Sequence, residues 1–114
     1  MSNEHRYVVV TTTVDNAEAA HLITDALLEP KLAACVQATM IQSAFWWKGQ
    51  IEHTEEIRLQ AKAPVANTEA LMAAIQAVHP YETPEIIITP ILTGNPAYLK
   101  WLEDETVEPG QPHA

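Results

Sequence analysis

The sequence predicts an α+β fold of the ferredoxin-like, split βαβ type, in the order β-α-β-β-α-β with a short C-terminal helix. Strand-like β-branched runs alternate with apolar helical stripes in that order. A Lys48-Gly49 turn joins two long strand-like segments, and a proline ends each of the first two helical stripes. At 114 residues the chain fits one domain, 1–114, which we expect to be ordered over about 7–106 and to end in a flexible tail, 107–114.

The first strand and the first helix are predicted from residues 7–29. Residues 7–14 are aromatic or β-branched and apolar on both faces at their start, which is typical of a central strand. Asp15 stands where a helix N-cap is expected, and Glu18 follows as in a capping box. One apolar stripe then runs to the stop at Pro30, and its members are Ala19, Leu22, Ile23, Ala26 and Leu27.

Two long strands, 32–47 and 51–62, are predicted to pair across the turn, where Gly49 can adopt a positive φ. A hairpin of this length reaches beyond a single small core. From residue 56 the second strand alternates with period two, so its two faces can be assigned. The residues predicted to share one face are Ile57, Leu59 and Ala61, and those on the other are Glu56, Arg58, Gln60 and Lys62.

The second helix is predicted over 64–78, either with its opening proline in the first turn or with a later start capped by Asn67 or Thr68. Pro80 ends it, because the residue before a proline is disfavoured in the helical region. The junction that follows, residues 79–85, gathers a histidine, a tyrosine and two carboxylates between a helix and a strand.

The last two predicted elements are a strand over 85–92 and a short helix. Asn95 is the predicted N-cap of that helix, and Pro96 is its first residue. Since a helix of roughly ten residues is marginal alone, we expect it to dock on the rest of the domain.

Composition excludes several classes of function. A net charge of −9 argues against nucleic-acid partners, whose phosphates would be repelled. The single cysteine, Cys35, excludes an internal disulfide and lies among apolar residues that predict a buried core thiol. With no bilayer-length apolar run and no signal region, we expect no membrane association and a cytoplasmic location. Motifs of nucleophiles and cofactors are missing too, so we expect no enzyme.

The surface predicts an oligomer. Trp46 and Trp47 are adjacent on a strand and must point to opposite faces, so at least one has no core to enter within its own subunit. Residues 8–10 and 86–88 are apolar at every position, which gives the sheet a second apolar face. A partner covers such surface, and we expect a homo-oligomer with the sheets and hairpins at its interfaces.

Four blocks of the chain carry a family resemblance: KLAACV at 31–36, SAFWWKGQIE at 43–52, HPYETPEI at 79–86 and GNPAYLKWL at 94–102. In this order they resemble the CutA divalent-cation tolerance proteins, over nearly the whole chain. The resemblance implies a compact, very stable homotrimer, similar in architecture to the PII signalling proteins. It also implies an association with tolerance of copper or other divalent cations.

Two positions depart from that family. Some members have a cysteine near the place of Thr12 and a second histidine at the place of Val78, and these residues are implicated in copper binding. Of that set this chain keeps only His79. Because a soft thiolate is the ligand that suits Cu(I), its loss argues against high-affinity Cu(I) binding here.

The predicted metal ligands are His79 and Glu82, with Glu85 as a further carboxylate nearby. Imidazole with carboxylate suits Cu(II), Zn or Ni, and copper or another divalent cation is the one cofactor considered. The alternative is that His79 is a structural histidine, placed where the C-terminal helix dipole favours imidazolium. A second cluster at residues 52–56 offers a weak surface cation site as one interpretation, and a solvated hairpin surface is the one we expect.

Trp47, Lys62 and Tyr81 are predicted to line a cleft that takes a small effector, with aromatic packing at a subunit contact as the alternative. The predicted function is therefore non-enzymatic binding of a divalent metal or small effector at the inter-subunit clefts of a homotrimer. The alternative is a structural or signalling trimer that clusters partner proteins without a ligand. A third, an enzyme with His79 and Glu82 as acid and base, has no supporting motif.

Overall fold

The computed structural model describes residues 6–109, which form one antiparallel four-stranded sheet and three helices. The strands are β1 (Tyr7–Val14), β2 (Cys35–Trp47), β3 (Gln50–Pro64) and β4 (Ile86–Ile91). The helices are α1 (Ala17–Leu28), α2 (Thr68–Val78) and α3 (Pro96–Asp104), with a 3-10 turn at Val65–Asn67. The sheet order β2-β3-β1-β4 places β3 between the two strands that α1 connects, which confirms the predicted ferredoxin-like class.

The core lies between one face of the sheet and the helices α1 and α2. Val10 of β1 stands opposite Ala61 of β3, and both are almost fully buried. Because side chains alternate across a strand, the predicted helix-facing set of β3 is confirmed, with its charged residues on the other side. The helices fill this face with the fully buried residues Ile23, Leu27, Leu71 and Ile75.

Helix α3 docks on the opposite face, at the end of the sheet where β1 begins. The Tyr7 hydroxyl donates to the Glu103 carboxylate at 2.5 Å, and Leu102 is fully buried. After the helix, the Val107 amide donates to the Lys31 carbonyl at 2.9 Å. This confirms that the short helix docks; residues 110–114 of the predicted tail lie outside the described part of the chain.

The hairpin of β2 and β3 extends beyond the sheet. Pairing between β1 and β3 stops at Val14 and Ile57, so residues 50–56 of β3 pair with β2 alone. At about 3.3 Å per residue, this two-stranded ribbon, here called the arm (residues 41–56), projects by roughly 23 Å. The turn at its tip has Lys48 and Gly49 at positive φ (51° and 83°), as a tight hairpin requires.

The start of α1 differs from its prediction. Asn16, not Asp15, is the N-cap, and its Oδ1 accepts the Ala19 amide at 2.8 Å. The strand β1 continues to Val14, and Asp15 follows it directly. Asn16, which has an extended backbone, is therefore the residue that precedes the first helical turn. The capping-box role predicted for Glu18 is therefore wrong as well.

The start of α2 was predicted in part. Pro64 ends β3, where it pairs with Tyr7, so the prediction of this proline in a first helical turn is wrong. The helix begins at Thr68, as in the later of the two predicted starts, but Asn67 makes no side-chain cap bond. The side-chain amide nitrogen of Asn67, Nδ2, instead donates to the carbonyls of Leu32 and Val107, at 2.9 and 3.0 Å.

Two further predictions need correction near the start of β2. The strand begins at Cys35 rather than at Leu32, because Leu32 and Ala33 are buried in the core and neither residue pairs with β3. Cys35 is half-buried rather than fully buried, since it stands opposite Lys62 on the sheet face away from α1 and α2. No helix within residues 6–109 combines the length and the apolar character needed to cross a bilayer.

Candidate functional site

The junction after α2 is built around the ring of His79. The helix ends there because His79 has an extended backbone (φ −73°, ψ 133°) before Pro80. Its Nε2 lies 2.9 Å from the Thr13 carbonyl, and its Nδ1 lies 3.1 Å from the Tyr81 amide nitrogen. A carbonyl only accepts and an amide only donates, so Nε2 carries the proton and Nδ1 accepts. The ring is thus neutral with both nitrogens engaged.

The electrostatic setting of His79 agrees with this tautomer. Burial lowers its pKa below the usual value, against smaller opposing contributions from the Thr13 carbonyl and from the carboxylates of Glu56 and Asp15. The neutral form therefore dominates at neutral pH. A structural role of His79 at the helix end is consistent with this geometry, whereas an imidazolium stabilised by the helix dipole is not.

A buried carboxylate lies beneath the junction. The Tyr81 hydroxyl donates to Oε2 of Glu56 at 2.7 Å, and the rings of Tyr81 and His79 are 4.8 Å apart. Glu56 is only 5% exposed, and burial together with this hydrogen bond raises the pKa of Tyr81 above its usual range. The sequence had placed Glu56 in a solvated hairpin cluster. Alternation assigns its face, but the covering tyrosine comes 25 residues later and leaves no local signal.

One subunit does not assemble a metal site from the predicted ligands. Glu82 and Glu85 are exposed, and no hydrogen bond to Glu82 occurs among the contacts of the described residues. Within residues 6–109, no three His, Cys, Asp or Glu side chains converge closely enough to hold a metal ion. Since tight transition-metal sites use three or four protein ligands, a single copy is incomplete as a site of this kind.

The predicted cleft residues lie at three separate places along the hairpin. Trp47 pairs with Gln50 at the tip of the arm, whereas Tyr81 contacts Glu56 at its root. Glu56 lies six positions after Gln50 on β3, and Lys62 lies six positions after Glu56, so each interval is roughly 20 Å. Trp47, Tyr81 and Lys62 therefore do not meet within one subunit.

The local partners of the two outer residues differ. Nζ of Lys62 donates to Oε1 of Gln37 at 2.8 Å and lies 5.8 Å from the ring centroid of Tyr98. The ring of Trp47 has Nζ of Lys48 at 5.6 Å from its centroid and is 40% exposed. Within the subunit, Lys62 thus contacts a side-chain amide and an aromatic ring.

A surface concavity of about 400 Å³ lies at the other end of the sheet, between the start of β1, the 3-10 turn and the end of α3. Arg6, Tyr7, Asn67 and Glu103 are among the residues that line it. None of the predicted site residues belongs to it.

Comparison with known proteins identifies relatives of this fold and sequence. The family model described as "CutA1 divalent ion tolerance protein" matches residues 8–105. The Escherichia coli divalent-cation tolerance protein CutA is 38% identical over 104 residues, covering 89% of this chain and 90% of that protein. The rice protein CutA 1, chloroplastic by name, is 38% identical over 102 residues, and the match spans 58% of its length.

A solved structure agrees with the fold. The crystal structure of CutA1 from Oryza sativa superposes with a TM-score of 0.87 and 37% sequence identity, covering 94% of this chain and 99% of that one. The match includes nearly the whole of the four-stranded sheet and the three helices described above.

Proposed function

The chain belongs to the CutA1 divalent ion tolerance family, and we propose that it acts as a homotrimer that binds a divalent cation or a small effector, without catalysis, at clefts between subunits. The observation that carries this proposal is the separation of the three predicted cleft residues along one hairpin. Trp47, Tyr81 and Lys62 can line a common cleft only if different subunits contribute them.

The arm supports the oligomer. An isolated two-stranded ribbon is marginally stable in water, yet this one carries a row of large apolar side chains. Trp46 is 71% exposed, and a surface of this kind marks an interaction site. The other exposed apolar residues in or beside the arm are Met40, Phe45, Trp47 and Ile51. If a second copy packed on the arm, the aromatic residues at the tip of the arm would come close to the helix-end junction of that copy.

A divalent cation at that junction would use ligands from more than one copy. Glu82 offers an exposed carboxylate there, and Nδ1 of His79 becomes available if the Tyr81 amide is displaced. Hard divalent cations prefer carboxylate oxygen, while Cu(II) and Zn accept imidazole nitrogen as well. The remaining ligands would come from the neighbouring subunit or from water.

Calorimetric titration of the metal-free oligomer with Cu(II) and with Zn(II) tests the proposal. We expect saturable binding in the unmodified protein, loss of it in His79→Ala, and weakening in Glu82→Ala. His21→Ala is the matched control, because His21 is exposed on α1, away from the junction. Equal binding by all four proteins would reject His79 as a ligand. Absence of any effect of cations on the melting temperature would reject the cation as the ligand, because preferential binding to the folded state stabilises it.

A second candidate is a structural trimer that clusters partner proteins and holds no ligand. One observation favours it: both ring nitrogens of His79 are already engaged within the subunit. The test is to compare capture of a defined partner by the oligomer in the presence and absence of Cu(II) and Zn(II). Cation-independent capture that is lost when Trp46 is replaced would favour this candidate over the ligand-binding one.

A further inference from the structure

We propose that Tyr81, through its hydrogen bond to Glu56, is a positioning residue for the arm. This contact fixes the orientation of the arm relative to the helix-end junction and limits its motion. This inference goes beyond the proposed function, since it concerns the subunit itself and holds whether or not a ligand binds. It also assigns a structural role to Glu56, a buried carboxylate that has no part in the proposed function.

Glu56 lies where the arm leaves the sheet. Ile57, the next residue, is the first residue of β3 that pairs with β1, so Glu56 marks the root of the arm. On one side of this point the ribbon belongs to a four-stranded sheet, and on the other it has two strands only. A ribbon that loses its lateral neighbours at one residue can bend there. A contact at Glu56 therefore has more control over the direction of the arm than one near its tip.

Tyr81 is held by contacts with His79. Its amide donates to Nδ1 of His79, whose Nε2 donates to the carbonyl of Thr13 near the end of β1. The ring of His79 also packs against the ring of Tyr81. A continuous series of contacts thus leads from β1 through His79 and Tyr81 to Glu56 and the arm.

The hydrogen bond between Tyr81 and Glu56 is short and has a buried acceptor. The acceptor is a carboxylate, the donor–acceptor distance is 2.7 Å, and Glu56 is 5% exposed. Hydrogen bonds to ionised acceptors are stronger than neutral ones, and removal of the donor leaves a buried charge without its partner. The hydroxyl of Tyr81 accordingly fixes the root of the arm instead of merely covering it.

Hydrogen exchange of the metal-free, full-length protein tests the inference. Tyr81→Phe removes one hydroxyl and keeps the ring. We expect amide exchange in the arm, residues 41–56, to become faster by about tenfold or more, with exchange in residues 8–13 and 58–63 unchanged. The control is Tyr7→Phe, which removes an exposed Tyr–Glu hydrogen bond, to Glu103, at the other end of the sheet. It should leave exchange in the arm unchanged.

A second pair of variants keeps the inference open to refutation if Tyr81→Phe is poorly folded. Glu56→Gln weakens the same contact from the acceptor side, and the double variant should exchange no faster in the arm than the faster single variant. Unchanged exchange in the arm would show that the ribbon's own pairing or a second copy fixes it, and would overturn the inference. So would an equal increase in arm and body. Neither result bears on the titrations with Cu(II) and Zn(II), so the two proposals fail separately.

Discussion

The body of the sheet and the arm are made from the same two strands but are stabilised in different ways. In the body, β3 has a strand on both sides, α1 on one face, and α3 on part of the other. In the arm, residues 50–56 have one neighbouring strand, β2, and the exposed aromatic residues Phe45, Trp46 and Trp47 lie on that strand. The difference shows that alternation of side chains sets the faces of a strand, whereas coverage of those faces decides whether the subunit alone can stabilise it.

The largest expected effect lies in the body. Ile75→Ala removes a side chain that is 1% exposed, so the loss of apolar burial and the resulting cavity should lower the free energy of unfolding by about 2–5 kcal/mol. Urea unfolding at a fixed protein concentration measures this. Leu22 was predicted in the apolar stripe of α1 but is 52% exposed, so Leu22→Ala is the control and should change stability by less than about 1 kcal/mol. Similar losses in the two variants would contradict the assignment of the core.

The next effect lies in the arm and should appear in assembly, not in subunit folding. Trp46→Ala removes the most exposed aromatic side chain of the arm, and hot-spot aromatic residues contribute about 2–4 kcal/mol to association. We expect sedimentation to show dissociation at higher protein concentration, with unchanged far-ultraviolet circular dichroism. Leu22→Ala again serves as the control. An oligomer as tight as the unmodified one would mean that the arm of this chain does not form the interface.

A smaller effect concerns a polar atom inside the body. Oγ1 of Thr12 is buried in the core without a hydrogen-bond partner among the described residues. Thr12→Val has the same shape and removes the cost of that buried hydroxyl, so it should stabilise the protein by about 1 kcal/mol. In the control, Thr24→Val, the hydroxyl that donates to the Ala20 carbonyl at 2.8 Å is lost. The denaturation midpoint should rise for the first variant and not for the second.

The smallest expected effect is a pH dependence located at the root of the arm. The pKa of His79 is lowered in the folded state, so the unfolded chain binds the proton more readily. The contribution of His79 to stability is therefore complete above its unfolded pKa, about 6.5, and is lost as pH falls through the lower folded value. Unfolding free energies measured from pH 7.5 to 5 should show this slope. Persistence of the full slope in His79→Gln would refute the assignment.

The body could be predicted from the sequence because its signals are local. The alternation of Ile57, Leu59 and Ala61 and the stops at Pro30 and Pro80 are readable within a few residues, and the order of elements limits the topology. The predicted bounds of an element were wrong where a tertiary contact determined where that element begins or ends. Pro64 reads as a helix start, but its pairing with Tyr7 extends the strand instead.

The candidate site was less predictable, for two physical reasons. His79 and Tyr81 were identified from a dense junction, yet the contact with Glu56 joins residues 25 positions apart and has no periodicity. The arm presents the second reason. Trp46 and Trp47 are apolar and adjacent, and both stay exposed in the subunit. The sequence of one chain therefore does not say what would cover them.

The buried amide of Asn67 has a consequence for the order in which the protein matures. Its nitrogen binds two carbonyl oxygens, of Leu32 and of Val107, and the second lies 40 residues further along the chain. During translation, the earlier acceptor is available long before the later one. Any nascent chain that has not yet reached residue 107 therefore lacks one of the two acceptors that its folded form requires. The pair of hydrogen bonds made by Asn67 is therefore completed late in synthesis, after all four strands of the sheet have been made.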